Sequence, residues 1–248
     1  MSLREAVDEL MARDRVLVGT DFDGVVAPLV QTPDESVPDP RAMALLAGLG
    51  GRRGVQVAVV SGRARDDLAV RLGELPGAIL VGEHGNDMGQ VVEIPQVLGE
   101  ARRFIHELHG NMPEATVEDK RMSVTFHTRN LDNRRSAAAS SAIRDWVGGR
   151  RGIALLEGKE VCELTVATRT KGDAMRDLAK DVDGVAYLGD DLTDETVFEW
   201  LRPTDVGIKV GPGETAAEYR VGDVSGVVEV LEWMTSARVR VEAGIVDG

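Results

Sequence analysis

Two acidic clusters hold the residues of this chain best suited to chemistry. Asp21-Phe22-Asp23-Gly24 follows an apolar run at 16–18, and Gly189-Asp190-Asp191-Leu192-Thr193-Asp194-Glu195 follows another at 185–188. Carboxylates gathered at one point repel each other unless a cation holds them. Mg²⁺ suits such a site, because it takes few carboxylates together with waters and phosphate oxygens. The candidate metal ligands are Asp21, Asp23, Asp190 and Asp194, with Asp190 expected to bind directly and Asp194 through water. One residue separates Asp21 from Asp23, so in extended backbone both side chains face the same way. One can then attack phosphorus to give an aspartyl-phosphate, while the other protonates the leaving oxygen and later takes a proton from water.

Two further motifs could complete a phosphoryl-transfer site. Ser61-Gly62-Arg63 closes an apolar run at 55–60, where the Ser61 hydroxyl and the following amides can donate to phosphate oxygens. Lys171 opens the helical pattern that precedes the strand of the second acidic cluster, where a cation can neutralise both a nucleophile and a transferring phosphoryl group. Each motif alone also has an ordinary reading. Asp-x-Asp-Gly and Ser-Gly can cap helices or turns, and a lysine can simply face solvent.

The elements that must position these residues follow a βαβ grammar. Strand-like runs at 16–19, 55–60 and 78–81 alternate with helical patterns at 40–49 and 64–72. The alternation returns with a helix at 171–180, a strand at 185–188, a helix at 193–201, a strand at 206–210 and a helix at 226–236. This pattern predicts a parallel sheet, in which ligands bind beyond the carboxyl ends of the strands. Between the two halves the grammar changes. Residues 102–108 and 133–147 read as helices, and 123–128, 153–156 and 160–165 read as strands, with a turn at 157–160. The expected organisation is a core of 1–94 and 167–248 carrying an inserted α+β module at 95–166, which can act as a lid. Residues 31–40, with three prolines, form a loop directly after the first acidic cluster.

Composition narrows the partners. Among 248 residues, 42 acidic side chains against 29 basic ones give a net charge of −13. That balance disfavours nucleic acid and anionic membrane as partners and calls for a local positive pocket if the substrate is an anion. The single cysteine, Cys162, cannot form an intrachain disulfide, which is compatible with a reducing compartment. Residues 1–15 read as an amphipathic helix without a signal-peptide core, and no apolar stretch is long enough to span a bilayer. The chain is expected to be a cytoplasmic monomer acting on a small molecule.

The order of the four motifs resembles that of the haloacid-dehalogenase-like (HAD) phosphatase superfamily. The resemblance implies an α/β fold with a Rossmann-like parallel-sheet core and an inserted α+β cap of the C2 type. It also implies Asp21 as nucleophile, Asp23 as acid/base, Ser61, Gly62 and Lys171 as phosphate ligands, and Asp190 on Mg²⁺. Val25 stands where many members carry threonine. Within the superfamily the chain resembles the trehalose-6-phosphate phosphatases. That likeness rests on residues 21–28, Gly82-Glu83-His84-Gly85-Asn86, Glu118-Asp119-Lys120, Ser123 to Arg129, Gly158 to Leu164, and the late acidic cluster. It implies a sugar-phosphate substrate read by Lys120, Arg129, Lys159 and Glu163 of the cap. Sugar hydroxyls accept from lysine and arginine and donate to glutamate, which makes such a set chemically sensible. Thr165-Val166 departs from the Arg-Pro pair of many relatives. His84 has two readings, one near the substrate and one as a satisfied histidine under the cap. A phosphatase for another sugar phosphate, a phosphomutase and a silent sugar-phosphate-binding module remain as alternatives.

Overall fold

The computed structural model describes residues 1–30, 32, 35–73, 75–89, 95–158, 160–166 and 169–242, the side chains of 240–242 excepted. They divide into two compact units, Met1–Gly89 with Arg169–Gly248, and Gln90–Thr168.

The first unit starts with α1 (Leu3–Met11), whose capping box pairs Ser2 with Glu5. Next come β1 (Val16–Thr20), α2 (Pro40–Gly50), β2 (Val55–Val60), α3 (Arg65–Leu72) and β3 (Ile79–Val81). Every residue of β1 is buried, because both faces of the sheet are covered. Val16 and Val18 pack on one side with Leu10 of α1 and Leu46 of α2, while Leu17 packs on the other with Ala58 and Val60. Continuous apolar runs of this kind are what a parallel sheet covered on both faces requires.

The second unit holds α4 (Gln96–Asn111), β4 (Thr116–Asp119), β5 (Ser123–His127), α5 (Asn133–Val147), β6 (Ala154–Gly158) and β7 (Val161–Thr165). Its strands run β4-β5-β7-β6, all antiparallel. Leu98, Ala101 and Ile105 of α4, with Ala139 and Ile143 of α5, pack against Val124, Phe126 and Leu164 to form its own core.

The chain then returns to the first unit through α6 (Lys171–Leu178), β8 (Gly184–Gly189), α7 (Glu195–Phe198), β9 (Val206–Val210), β10 (Tyr219–Val221) and α8 (Val224–Glu242). The sheet order is β10-β9-β8-β1-β2-β3, with every neighbour parallel. β1 pairs with β2 on one side and β8 on the other, so the order reverses at β1. That reversal is the topological switch point at which doubly wound sheets bind ligands.

The α/β core and the antiparallel insert agree with the sequence reading, and the differences have physical causes. Most of the helix expected over 193–201 is absent, because Asp191 and Asp194 spend their carboxylates on turn amides and leave only α7. β4 is an edge strand of mostly exposed polar residues without an apolar alternation, and β10 has only three residues. α4 starts six residues earlier than the apolar pattern suggested, after Pro95. Among the described residues no helix is long and apolar enough to cross a membrane.

Candidate active site

Asp21 lies one residue beyond β1, and its N–H donates to Leu188 O of β8 at 2.9 Å. The backbone of the central strand pair therefore fixes where its carboxylate starts. Asp21 Oδ1 accepts from the Phe22 N–H at 2.6 Å, and Oδ2 accepts from Lys171 Nζ at 2.6 Å. Lys171 is the first residue of α6, held there by the Thr170–Asp173 capping box, and its side chain is fully buried. The same ammonium donates to Asp194 Oδ1 at 2.8 Å and lies 3.7 Å from Asp191 Oδ1.

Asp194 organises the loop after β8. Its Oδ2 accepts from the N–H groups of Asp190 and Asp191 at 2.8 and 3.0 Å, and its Oδ1 also accepts from the Tyr187 hydroxyl at 2.8 Å. From β9, the buried Lys209 donates to the carbonyl of Asp190. Gly24 gives the facing side its room. Its φ is +75°, and a Cβ there would lie 2.1 Å from Asp190 Oδ2. Glycine serves because any other residue would be strained and would displace the carboxylate.

Several carboxylates share one buried ammonium, and their protons respond to that shortage. Burial, with the charges of Asp194 and Asp191, pushes Asp21 well above the ordinary carboxylate range in spite of Lys171. Burial also works against the Lys171 ammonium, yet Asp21, Asp194 and Asp191 outweigh it and hold its proton on. Burial and the neighbouring Asp191 and Asp194 push Asp190 up to about 7 against the pull of Lys171 and Lys209. Asp191 moves the other way, to about 2. Burial would raise it, but Lys171, the Thr193 hydroxyl and the N–H of Asp194 stabilise its charge.

One carboxylate oxygen from each of Asp21, Asp190 and Asp194 can be chosen so that all three lie within 4.8 Å of one another. Hard oxygen donors with excess negative charge match a divalent cation of the Mg²⁺ type, so the residues present fit the metal that the motifs imply. Asp23, also a candidate ligand, has its carboxylate elsewhere. The Arg63 guanidinium grips it with two bonds, Nε to Oδ2 at 2.6 Å and Nη2 to Oδ1 at 2.8 Å, and Ser36 Oγ donates to Oδ1 at 2.8 Å.

Ser61 is buried just beyond β2, its N–H donating to Val81 O and its hydroxyl accepting from the Arg63 N–H at 3.2 Å. It is not an ordinary helix cap, since α3 starts at Arg65 behind Ala64. Gly62 is where the His84 ring packs, and a Cβ on it would meet that ring at 2.5 Å. His84 and Glu83 both adopt left-handed backbone angles, φ +56° and +50°. Their N–H groups donate to Ser61 O and Arg63 O at 2.9 and 2.8 Å, joining this turn to the Ser61 loop.

In the second unit, Lys120 Nζ lies 3.6 Å from Glu163 Oε1, and Glu163 stands opposite Thr125 of β5 and Leu156 of β6. Arg129 pairs with Glu160 at 3.3 Å. Lys159 lies outside the described residues. Arg63, Ser36, Tyr187 and Lys209 also contact the carboxylates of the first unit or their loops, with no role evident from the sequence. Two of these carried a signal: Tyr187 places a hydroxyl in an aliphatic strand, and Lys209 places an ammonium in the five-residue strand Val206–Val210. Both are fully or almost fully buried, where a polar group needs a partner.

A parallel sheet that reverses at β1, with acidic loops after β1 and β8, is a fold similar to that of a haloacid-dehalogenase-like hydrolase of B. subtilis, with a TM-score of 0.61 at 14% identity, covering 87% of this chain and 98% of that one. Residues 19–225 match the trehalose-phosphatase family, and the chain belongs to that family. It is 35% identical to a bifunctional trehalose-6-phosphate synthase/phosphatase of Thermoproteus tenax, over 91% of this chain and 32% of that protein. It is 32% identical to a trehalose-phosphate phosphatase of Mycobacterium ulcerans, over 87% of this chain and 60% of that protein. The chain thus spans between a third and three fifths of the length of these curated relatives. Its fold is similar to that of a C. albicans trehalose-6-phosphate phosphatase C-terminal domain, with a TM-score of 0.78 at 22% identity, covering 95% of this chain and 97% of that one.

Proposed function

We propose that the chain is a Mg²⁺-dependent phosphatase that hydrolyses trehalose 6-phosphate to trehalose and phosphate. The reading is carried by the Asp21–Lys171–Asp194 cluster beside Asp190, in a chain of the trehalose-phosphatase family. Asp21 attacks phosphorus, the bond from phosphorus to the sugar oxygen breaks, and that oxygen takes a proton from Asp23. Water then attacks the aspartyl-phosphate and gives its proton to Asp23, which releases phosphate and restores the Asp21 carboxylate and the Asp23 acid. Ser61, the Gly62 amide and Lys171 hold the phosphoryl oxygens, and Lys171 aims Asp21 and favours its charged form against burial. Mg²⁺, held by Asp21, Asp190 and Asp194 with the Asp23 segment beside them, supplies charge neutralisation when bound.

In this reading residues 1–94 and 167–248 are the catalytic core, and 95–166 form the domain that selects the sugar. Lys120, Arg129, Lys159 and Glu163 are its sugar-reading residues by resemblance to the family. The test is phosphate release from a panel of phosphorylated mono- and disaccharides, with Mg²⁺ and with chelator. Preferred, metal-dependent release from trehalose 6-phosphate is expected. Preference for sucrose, glucosylglycerol or mannosylglycerate phosphate overturns the substrate. Retention of the phosphoryl group on a sugar, or no turnover of any member, overturns the activity.

A further inference from the structure

Arg63 does more than border Ser61. Its Nε and Nη2 hold both oxygens of Asp23, while its Nη1 donates to Asp67 Oδ2 at 2.9 Å. Asp67, on α3, in turn accepts from Arg71 Nε at 2.8 and 2.9 Å. Arg71 Nη1 donates to the carbonyl of Ser36 at 3.1 Å, and Ser36 Oγ donates back to Asp23 Oδ1 at 2.8 Å. The contacts close a ring: Asp23, Arg63, Asp67, Arg71, Ser36 and Asp23 again. The Arg63 guanidinium also lies over the ring of Phe22, 5.3 Å from its centroid, and Phe22 is fully buried between the two acidic residues. The Arg63 side chain is only 11% exposed.

A planar guanidinium gripping both oxygens of one carboxylate fixes its plane as well as its position, which a lysine cannot do. Asp23 sits on a turn where its carboxylate could otherwise rotate. The ring ties that rotation to the end of β2, to α3 and to the segment that contains Ser36.

We infer that Arg63 is the positioning residue of the reaction, holding the Asp23 carboxylate through the ring of Asp67, Arg71 and Ser36 in the orientation from which it serves the leaving oxygen. The inference rests on the reading of Asp23 as acid/base given above. A residue that merely supports the fold, or that binds phosphate, would affect all phosphate esters alike. One that positions the acid affects esters according to how much their leaving group needs a proton. A sugar alkoxide needs one, whereas p-nitrophenolate departs without it.

The experiment compares wild type, Asp23→Asn, Arg63→Gln and Asp67→Asn on two substrates. These are steady-state trehalose 6-phosphate hydrolysis and the first burst of p-nitrophenolate from p-nitrophenyl phosphate after rapid mixing. Asp23→Asn and Arg63→Gln should both lower kcat for the sugar phosphate by about 100-fold or more and leave the burst rate within about threefold, as loss of a proton donor predicts. Asp67→Asn, which touches Arg63 but not Asp23, should show the same selectivity with a smaller loss. Equal loss on both substrates for Arg63→Gln, a change confined to KM, or no change at all overturns the inference while leaving Asp23 its role. Absence of leaving-group selectivity in Asp23→Asn overturns the acid/base reading itself. If Arg63→Gln does not fold, as judged by its circular dichroism, Asp67→Asn decides alone, and an unselective Asp67→Asn overturns the inference.

Discussion

Lys171 Nζ lies 2.6 Å from Asp21 Oδ2, although 150 residues separate the two in the chain. The contact closes the active site from two directions, because Asp21 ends the central strand and Lys171 starts the helix that leads to the strand beside it. Lys171 also touches Asp194, so one ammonium positions the Asp21 carboxylate and the loop that presents Asp190.

Lys171→Met tests that arrangement. Removing one partner of a buried ion pair leaves the other charged and unpaired, at a cost of about 3–5 kcal/mol. The expected outcome is a lower urea midpoint together with loss of phosphate release. Because Asp21 and Asp194 then lack their shared cation, added Mg²⁺ should raise the melting temperature of the variant more than that of wild type. Equal shifts in the two proteins would show that Lys171 does not offset the same charge as the metal.

Much of this site was legible because each strand end carries its residues in an unbroken motif. Asp21, Asp23, Ser61, Asp190 and Asp194 each follow an apolar run and Lys171 opens a helix, and the parallel sheet brings Asp21, Lys171, Asp190 and Asp194 together. The ring around Asp23 was hidden for the opposite reason. Arg63, Asp67 and Arg71 read as an ordinary charged stretch at i, i+4 and i+8, and only the turn after β1 brings Asp23 and Ser36 onto it. β4 was missed on similar grounds, since Thr116, Glu118 and Asp119 give an edge strand no apolar period to detect.

Asp21→Asn should abolish turnover while leaving trehalose 6-phosphate binding measurable by calorimetry. The amide is too weak a nucleophile to form the acyl-phosphate, but on the proposed reading Ser61, the Gly62 amide and Lys171 remain to hold the phosphate. Turnover in this variant above about a hundredth of wild type would exclude Asp21 as the attacking group, given the size of covalent contributions to catalysis.

The Asp67 carboxylate gives the fold a pH signature. Burial would raise it, but the hydrogen bonds from Arg71 and Arg63 outweigh burial and hold it below the usual aspartate range. A carboxylate depressed in the folded state stabilises the fold above its unfolded value, about 3.9, and that contribution is lost as pH falls through the folded value. The melting temperature of wild type should therefore exceed that of Asp67→Asn by a constant amount from neutral pH to about 5, and the gap should close below about 4. The comparison is read at low salt, because Asp67 is more than a third exposed and screening weakens the pairing. A gap that widens toward acid would show that the arginines do not favour the charged form.

Gly24→Ala separates backbone strain from loss of the metal site. At φ +75° an alanine is strained by about 1–2 kcal/mol, and its Cβ would also fall 2.1 Å from Asp190 Oδ2. Oxygen and carbon cannot share that distance, so the Asp190 carboxylate must move out of the group it forms with Asp21 and Asp194. Gly73 offers the control. Its φ is +58°, and no described atom lies within 4 Å of where its Cβ would be, so Gly73→Ala carries the strain without the collision. Both variants should lower the melting temperature, Gly24→Ala by at least as much as Gly73→Ala. Only Gly24→Ala should weaken Mg²⁺ binding in a calorimetric titration, by about tenfold or more, as removal of one carboxylate from a site of few ligands predicts. Equal Mg²⁺ affinities in the two variants would mean that Asp190 keeps its place by a backbone shift, or that the metal does not depend on it.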